Sequence, residues 1–133
     1  SVNKETANEL LDLCQIYMER FDTDDPHRWK AMEHGHQAAT DLEKFRESDV
    51  ILKRIIEEYP DHEFRAEKMA FRAYQLEYMI KDLAAAERVY KDIIQEYPDS
   101  EFAFSAQGSL DLLQMGDIFK DGEVPADWPK ADV

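Results

Sequence analysis

Ten residues return almost unchanged after 38 positions, and a fixed period of this length constrains architecture more than any other property of a chain. Ile55-Ile56-Glu57-Glu58-Tyr59-Pro60-Asp61-His62-Glu63-Phe64 reappears as Ile93-Ile94-Gln95-Glu96-Tyr97-Pro98-Asp99-Ser100-Glu101-Phe102, with eight of ten positions identical. One period earlier, Tyr17-Met18-Glu19-Arg20-Phe21-Asp22 keeps the apolar, acidic and aromatic character and loses the proline. A unit of this size cannot bury apolar faces on both sides by itself, so copies must stack and share one continuous core.

Within each unit apolar residues recur at three- and four-residue steps with breakers between the runs, which predicts two helices per period and about six in all. The first is expected from Thr6, where Thr6-Ala7-Asn8-Glu9 has the form of a capping box, to about Phe21. Its buried stripe should be Leu10, Leu13, Cys14, Tyr17 and Phe21. Asp25 and Pro26 should open the second, which runs to about Leu42. The third covers Ser48 to Glu58, with Ile51, Leu52, Ile55 and Ile56 inward, and Pro60 stops it. The fourth runs from Glu63 to Ile80, with Met69, Ala70, Ala73, Leu76 and Ile80 on one face and Phe71, Tyr74 and Tyr78 on another. Asp82 caps the fifth, whose inward positions Leu83, Ala86, Val89, Tyr90, Ile93 and Ile94 precede Pro98. The sixth runs from Ser100 to Met115, where Gly116 is placed to end it in the left-handed conformation. The chain then divides into a helical repeat domain, 1–116, and an irregular tail, 117–133. Ile118, Phe119, Val124 and Trp128 of the tail are expected to fold back over the sixth helix, which has no following helix to cover it.

Composition agrees with long helices: 133 residues hold only 4 Gly and 5 Pro, too few for a turn-rich β fold. Thirty Asp and Glu against sixteen Lys and Arg leave a formal charge of −14, which opposes nucleic acid and anionic membrane surfaces. No stretch approaches the ~20 apolar residues of a membrane span. Cys14 is the single cysteine, so no internal disulfide forms, and a lone thiol on an apolar helix face is expected in the core.

Ala86, Tyr90, Ile93 and Pro98 follow the small, aromatic, apolar and proline spacing of the second helix of the tetratricopeptide repeat, and Ser48, Leu52, Ile55 and Pro60 follow it nearly as well. Phe45 before Ser48 and Leu83 before Ala86 also fit its turn. The chain therefore resembles the tetratricopeptide repeat family, and its Tyr-Pro-Asp run is similar to the subgroup found in bacterial cell-envelope proteins. The period is 38 and not the family's usual 34, the first unit has Asp22 where proline belongs, and the last unit stops after one helix. Met32, Ala70 and Gly108 stand where the family often has glycine in its first helix. The resemblance implies an all-α, right-handed antiparallel helix-hairpin solenoid whose first helices line a concave protein-binding groove. It implies no catalytic residues and no cofactor, and it points to a bacterial periplasm or envelope, with the cytoplasm left open.

Other constellations carry little. His34 and His36 point about 200° apart on a helix, so with Glu33 and His27 they make no metal site. Asp22, Asp24 and Asp25, like Asp117, Asp121 and Glu123, lack the glycine and glutamate of a calcium loop. No phosphate-cradling loop or glycine-flanked serine occurs, and no enzyme is expected. The better candidate is an aromatic stripe on the first helices. Phe71, Tyr74 and Tyr78 project together, and a 38-residue shift places Glu33, His36 and Thr40 opposite them, with Trp29 one turn earlier. Trp29, His36, Phe71, Tyr74 and Tyr78 are thus the expected partner-binding residues of a non-enzymatic scaffold holding a protein or peptide. The alternative is a structural segment of a larger envelope protein, acting by self-association, with a homo-oligomer formed through the exposed last helix.

Overall fold

The computed structural model describes residues 3–118, and everything regular in that span is helical. The elements are α1 (Lys4–Arg20), α2 (Arg28–Asp41), α3 (Phe45–Glu58), α4 (Arg65–Gln75, continued by a π-helical turn, Leu76–Ile80), α5 (Leu83–Glu96) and α6 (Glu101–Ile118). Each helix packs on its neighbours in sequence, and α4 also touches α6.

The ends of the helices differ from expectation more than their middles do. Asn3, not Thr6, caps α1: its side chain accepts from the Glu5 and Thr6 amides. Asp25 spends its carboxylate on the His27 amide at 2.9 Å, so α2 starts at Arg28 and not at Pro26. α3 begins three residues early, at Phe45, and α4 begins at Arg65. Asp82 caps α5 as expected, accepting from Ala85 N at 3.1 Å. Gly116 does not end α6, which continues to Ile118. The expected cover by Phe119, Val124 and Trp128 lies outside the described residues.

Two cores share α3. One joins Leu11, Cys14, Met32, Ala39, Ile51 and Ile55 across α1, α2 and α3. The other joins Ile56 to Met69, Ala73, Leu76, Ala86, Val89, Ile93, Ala106 and Leu110 across α3 to α6. Gly35 sets the closest approach in the first, since a Cβ there would overlap the side chain of Cys14. Burial pushes the Cys14 thiol up to about 11, beyond the pull of Arg28 and Arg54, so it stays protonated and unreactive near neutral pH.

The buried stripe of α1 is Ala7, Leu11 and Cys14, whereas Leu13 and Phe21 are exposed and Leu10 and Tyr17 only partly covered. The reason is visible one period on. Leu10, Leu13, Tyr17 and Phe21 correspond to Ser48, Ile51, Ile55 and Tyr59, and α2 is what covers that stripe of α3. At the other end, Met69, Ala73 and Leu76, buried in the α4–α5 core, become Gln107, Asp111 and Gln114, all exposed on α6. Gln107 Nε2 donates to Asp111 Oδ1 at 3.0 Å. Phe104, one turn before Gln107, is 86% exposed beside them, so this side of α6 is mixed in character.

Two devices repeat along the chain. Arg28 donates from Nε to the Tyr17 carbonyl at 3.3 Å and from Nη1 to Tyr59 Oη at 3.1 Å, and pairs with Glu58 at 2.6 Å. Arg65 donates to the Ile56 carbonyl at 2.9 Å and to Tyr97 Oη at 3.2 Å, and pairs with Glu96 at 2.8 Å. Each guanidinium thus ties the start of one helix to the Glu-Tyr end of the helix that follows. The second device is a left-handed residue in the turn after α2 and after α4, Glu43 (φ 60°) and Lys81 (φ 64°).

These repeats do not share one period: Glu43 and Lys81 are 38 apart, but Arg28 and Arg65 are 37 apart. α4 therefore carries one residue more than α2 between equivalent points. The bond closing the turn after α2 runs from Lys44 N to Ala39 O, and after α4 from Asp82 N to Leu76 O, one residue longer. The π-helical turn Leu76–Ile80, with its i→i+5 bonding, holds the extra residue.

Candidate functional site

α4 presents the aromatic stripe. Tyr74 and Tyr78, one turn apart, are each 50% exposed, with ring centroids 4.8 Å apart and planes tilted by 44°. Beside them Glu77 accepts from Tyr90 Oη of α5 at 2.6 Å, which anchors the carboxylate. Its charge, with a small contribution from burial, raises the Tyr78 phenol above the ordinary tyrosine value. The Tyr78 phenol is thus a neutral donor at physiological pH, and both rings offer an apolar body that buries area with little loss of rotamer freedom.

Phe71 sits differently. It is half-buried, its ring 5.4 Å from that of His36 on α2. His36 itself is 1% exposed and presents no surface to a partner. The one-residue offset explains the difference: over the first turns of α4 the equivalent of His36 is Ala73, also buried, and not Tyr74. Trp29 is also engaged internally, stacked on His62 at 3.9 Å and 10° and lying 6.0 Å from Phe64. Of the five expected contact residues, Tyr74 and Tyr78 form an open pair, while Trp29, His36 and Phe71 join α2 to α4 and to the connector before it.

What holds α2 against α4 is polar, and sequence reasoning missed it. Lys68 is almost fully buried, with Nζ 3.3 Å from Glu33 Oε2, 3.2 Å from His36 Nε2 and 5.8 Å from the Trp29 ring centre. Burial, with Lys68 adding to it, brings His36 down to about 3. The imidazole is therefore neutral, Nε2 accepts from the ammonium, and the ring proton sits on Nδ1. That atom and Trp29 Nε1 are buried without a partner among the described residues. One helical turn on, Thr40 Oγ1 lies 2.8 Å from Gln75 Oε1 and 2.9 Å from Ser48 Oγ, and Gln75 Nε2 donates to Ser48 at 3.0 Å. A seven-residue spacing puts Lys68 and Gln75 on one face of α4, but two polar residues at that spacing read equally well as a solvent-facing pair.

Among the described residues, no group of three or more His, Cys, Asp or Glu is arranged to hold a metal ion, and no helix is long and apolar enough to cross a membrane. The chain matches no family model, no curated protein and no solved structure.

Proposed function

We propose that the chain is a tetratricopeptide-like helix-hairpin solenoid that holds a peptide or partner domain and performs no reaction of its own. Sequential packing, the repeated Arg clamp and the repeated left-handed turn support the solenoid reading. The binding reading rests on one observation: Tyr74 and Tyr78 form a half-exposed ring pair on α4 that the core does not require. An apolar side chain packed against the exposed faces of the two rings gains area, and the charge of −14 steers basic neighbours of that side chain toward the surface.

Selecting ligands from a displayed peptide library and measuring their affinity for wild type, Tyr74→Ala and Tyr78→Ala tests this. The expected result is at least roughly tenfold weaker binding in each variant, the loss of one anchoring contact, with an unchanged melting temperature. Equal affinity in all three proteins would remove the tyrosines from the binding surface. A large drop in melting temperature would assign them to the core.

A further inference from the structure

The open stripe of α1 carries the one further inference. Leu13, Ile16 and Phe21 are 45%, 40% and 42% exposed there, next to partly covered Leu10 and Tyr17. One period on, α2 covers the same stripe of α3 through two specific contacts, Thr40 on Ser48 and Arg28 on Glu58 and Tyr59. α1 has Leu10 in place of Ser48, and Arg20 and Phe21 in place of Glu58 and Tyr59. A helix like α2 would find no hydroxyl to bond and would set its arginine against Arg20. The stripe is thus apolar like its counterpart, but its polar contacts are different.

They suit a second copy of the same helix. Two charged residues border the stripe, Glu9 and Arg20, both exposed. They are three helical turns apart on one edge, about 16 Å along the axis. Leu13 and Ile16 lie symmetrically about the same midpoint. A two-fold axis through that midpoint sets α1 antiparallel to α1 of a partner, with Glu9 of each copy opposite Arg20 of the other and Leu13 opposite Ile16. Such self-complementarity is what an isologous interface requires. The net charge of −14 opposes association only at long range, where physiological salt screens it beyond about 8 Å.

We infer that two copies of the chain pair antiparallel through α1, burying Leu10, Leu13, Ile16, Tyr17 and Phe21 between two Glu9–Arg20 ion pairs. This stands apart from the tyrosine surface of α4, which it leaves free. One helix pair is at the small end of stable interfaces, so the dimer dissociates at roughly micromolar concentrations.

Sedimentation equilibrium of the full chain, from roughly one to several hundred micromolar, tests it, with far-UV circular dichroism confirming that each variant stays folded. Wild type should be a reversible dimer and Leu13→Asp a monomer. Glu9→Arg alone places Arg against Arg, and Arg20→Glu alone places Glu against Glu, so each should weaken the dimer roughly tenfold. An equimolar mixture of those two variants restores both ion pairs and should recover wild-type affinity. A wild type that stays monomeric throughout overturns the inference, as it would if a different helix were the natural cover. A dimer that survives Leu13→Asp, or a mixture no tighter than the single variants, overturns it equally.

Discussion

His36 is a neutral imidazole enclosed beside an ammonium, and this makes it an acid sensor for folding. Its ordinary value near 6.5 falls to about 3 in the folded protein, first through burial and then through Lys68. The unfolded chain therefore binds the proton more readily, so stability is full above about pH 6.5 and falls as pH drops through the window between the two values. The slope is about 1.4 kcal/mol per pH unit for one such group. Urea denaturation of wild type and His36→Gln between pH 7 and pH 4 should give curves that converge on acidification, because the variant lacks this slope; parallel curves would mean the ring is not held neutral. At Lys81 the constraint is steric. A φ of 64° is unfavourable for a side chain with a Cβ, and glycine adopts it freely. Lys81→Gly should stabilise by about 0.5–1 kcal/mol in spite of the freer unfolded chain, and a lower urea midpoint would show that the lysine side chain has a role there.

The helices are joined by arginines whose surroundings differ in dryness, and this ranks their contributions. Burial works against the Arg28 guanidinium, but the bonds to Tyr59 and Glu58 outweigh it and hold it above its ordinary value. Removing one partner from so enclosed a pair leaves Glu58 facing Arg54 alone. Arg65 makes the same bonds with a more exposed Glu96. Arg28→Ala is therefore expected to destabilise by about 3 kcal/mol and Arg65→Ala by about 1 kcal/mol. Arg28→Lys should recover little, since one ammonium cannot reach the Tyr17 carbonyl, Tyr59 and Glu58 together; the reverse order in thermal denaturation would contradict the burial argument. Helix ends at Pro60 and Pro98 were legible in the sequence because a missing amide acts within its own turn. Helix starts were less so, since Asn3, Thr6 and Asp25 all have capping chemistry and tertiary packing chooses among them. Lys68 and Gln75 were illegible for a related reason: on an amphipathic helix they read as solvent-facing, and only Glu33, His36 and Thr40 on another helix make them interior. Tyr74 and Tyr78 were legible as a pair, but equating Tyr74 with His36 failed at the inserted residue, which no periodicity reveals.

Across the described residues, the two apolar cores share α3, and polar and ring contacts otherwise join α2 to α4, so the ends are expected to lose structure unequally. Ala86 is fully buried in the core of α3 to α6, and an unpaired carboxylate there should destabilise by about 3 kcal/mol or more. Hydrogen exchange of Ala86→Asp should quicken first in α4, α5 and α6, with α1 and α2 retaining more protection; equal loss everywhere would make the chain one cooperative unit. The uneven spacing of the repeats bears on what the chain can accommodate. Along one rim the left-handed residues Glu43 and Lys81 keep a 38-residue step, although the bond closing the second turn spans one residue more. Along the other rim the connector before α2 is one residue longer than the connector before α4, and the π-helical turn makes up the difference. Foreign sequence, such as an epitope or a reporter, belongs at Asp22–His27, in a connector already one residue longer than its counterpart before α4.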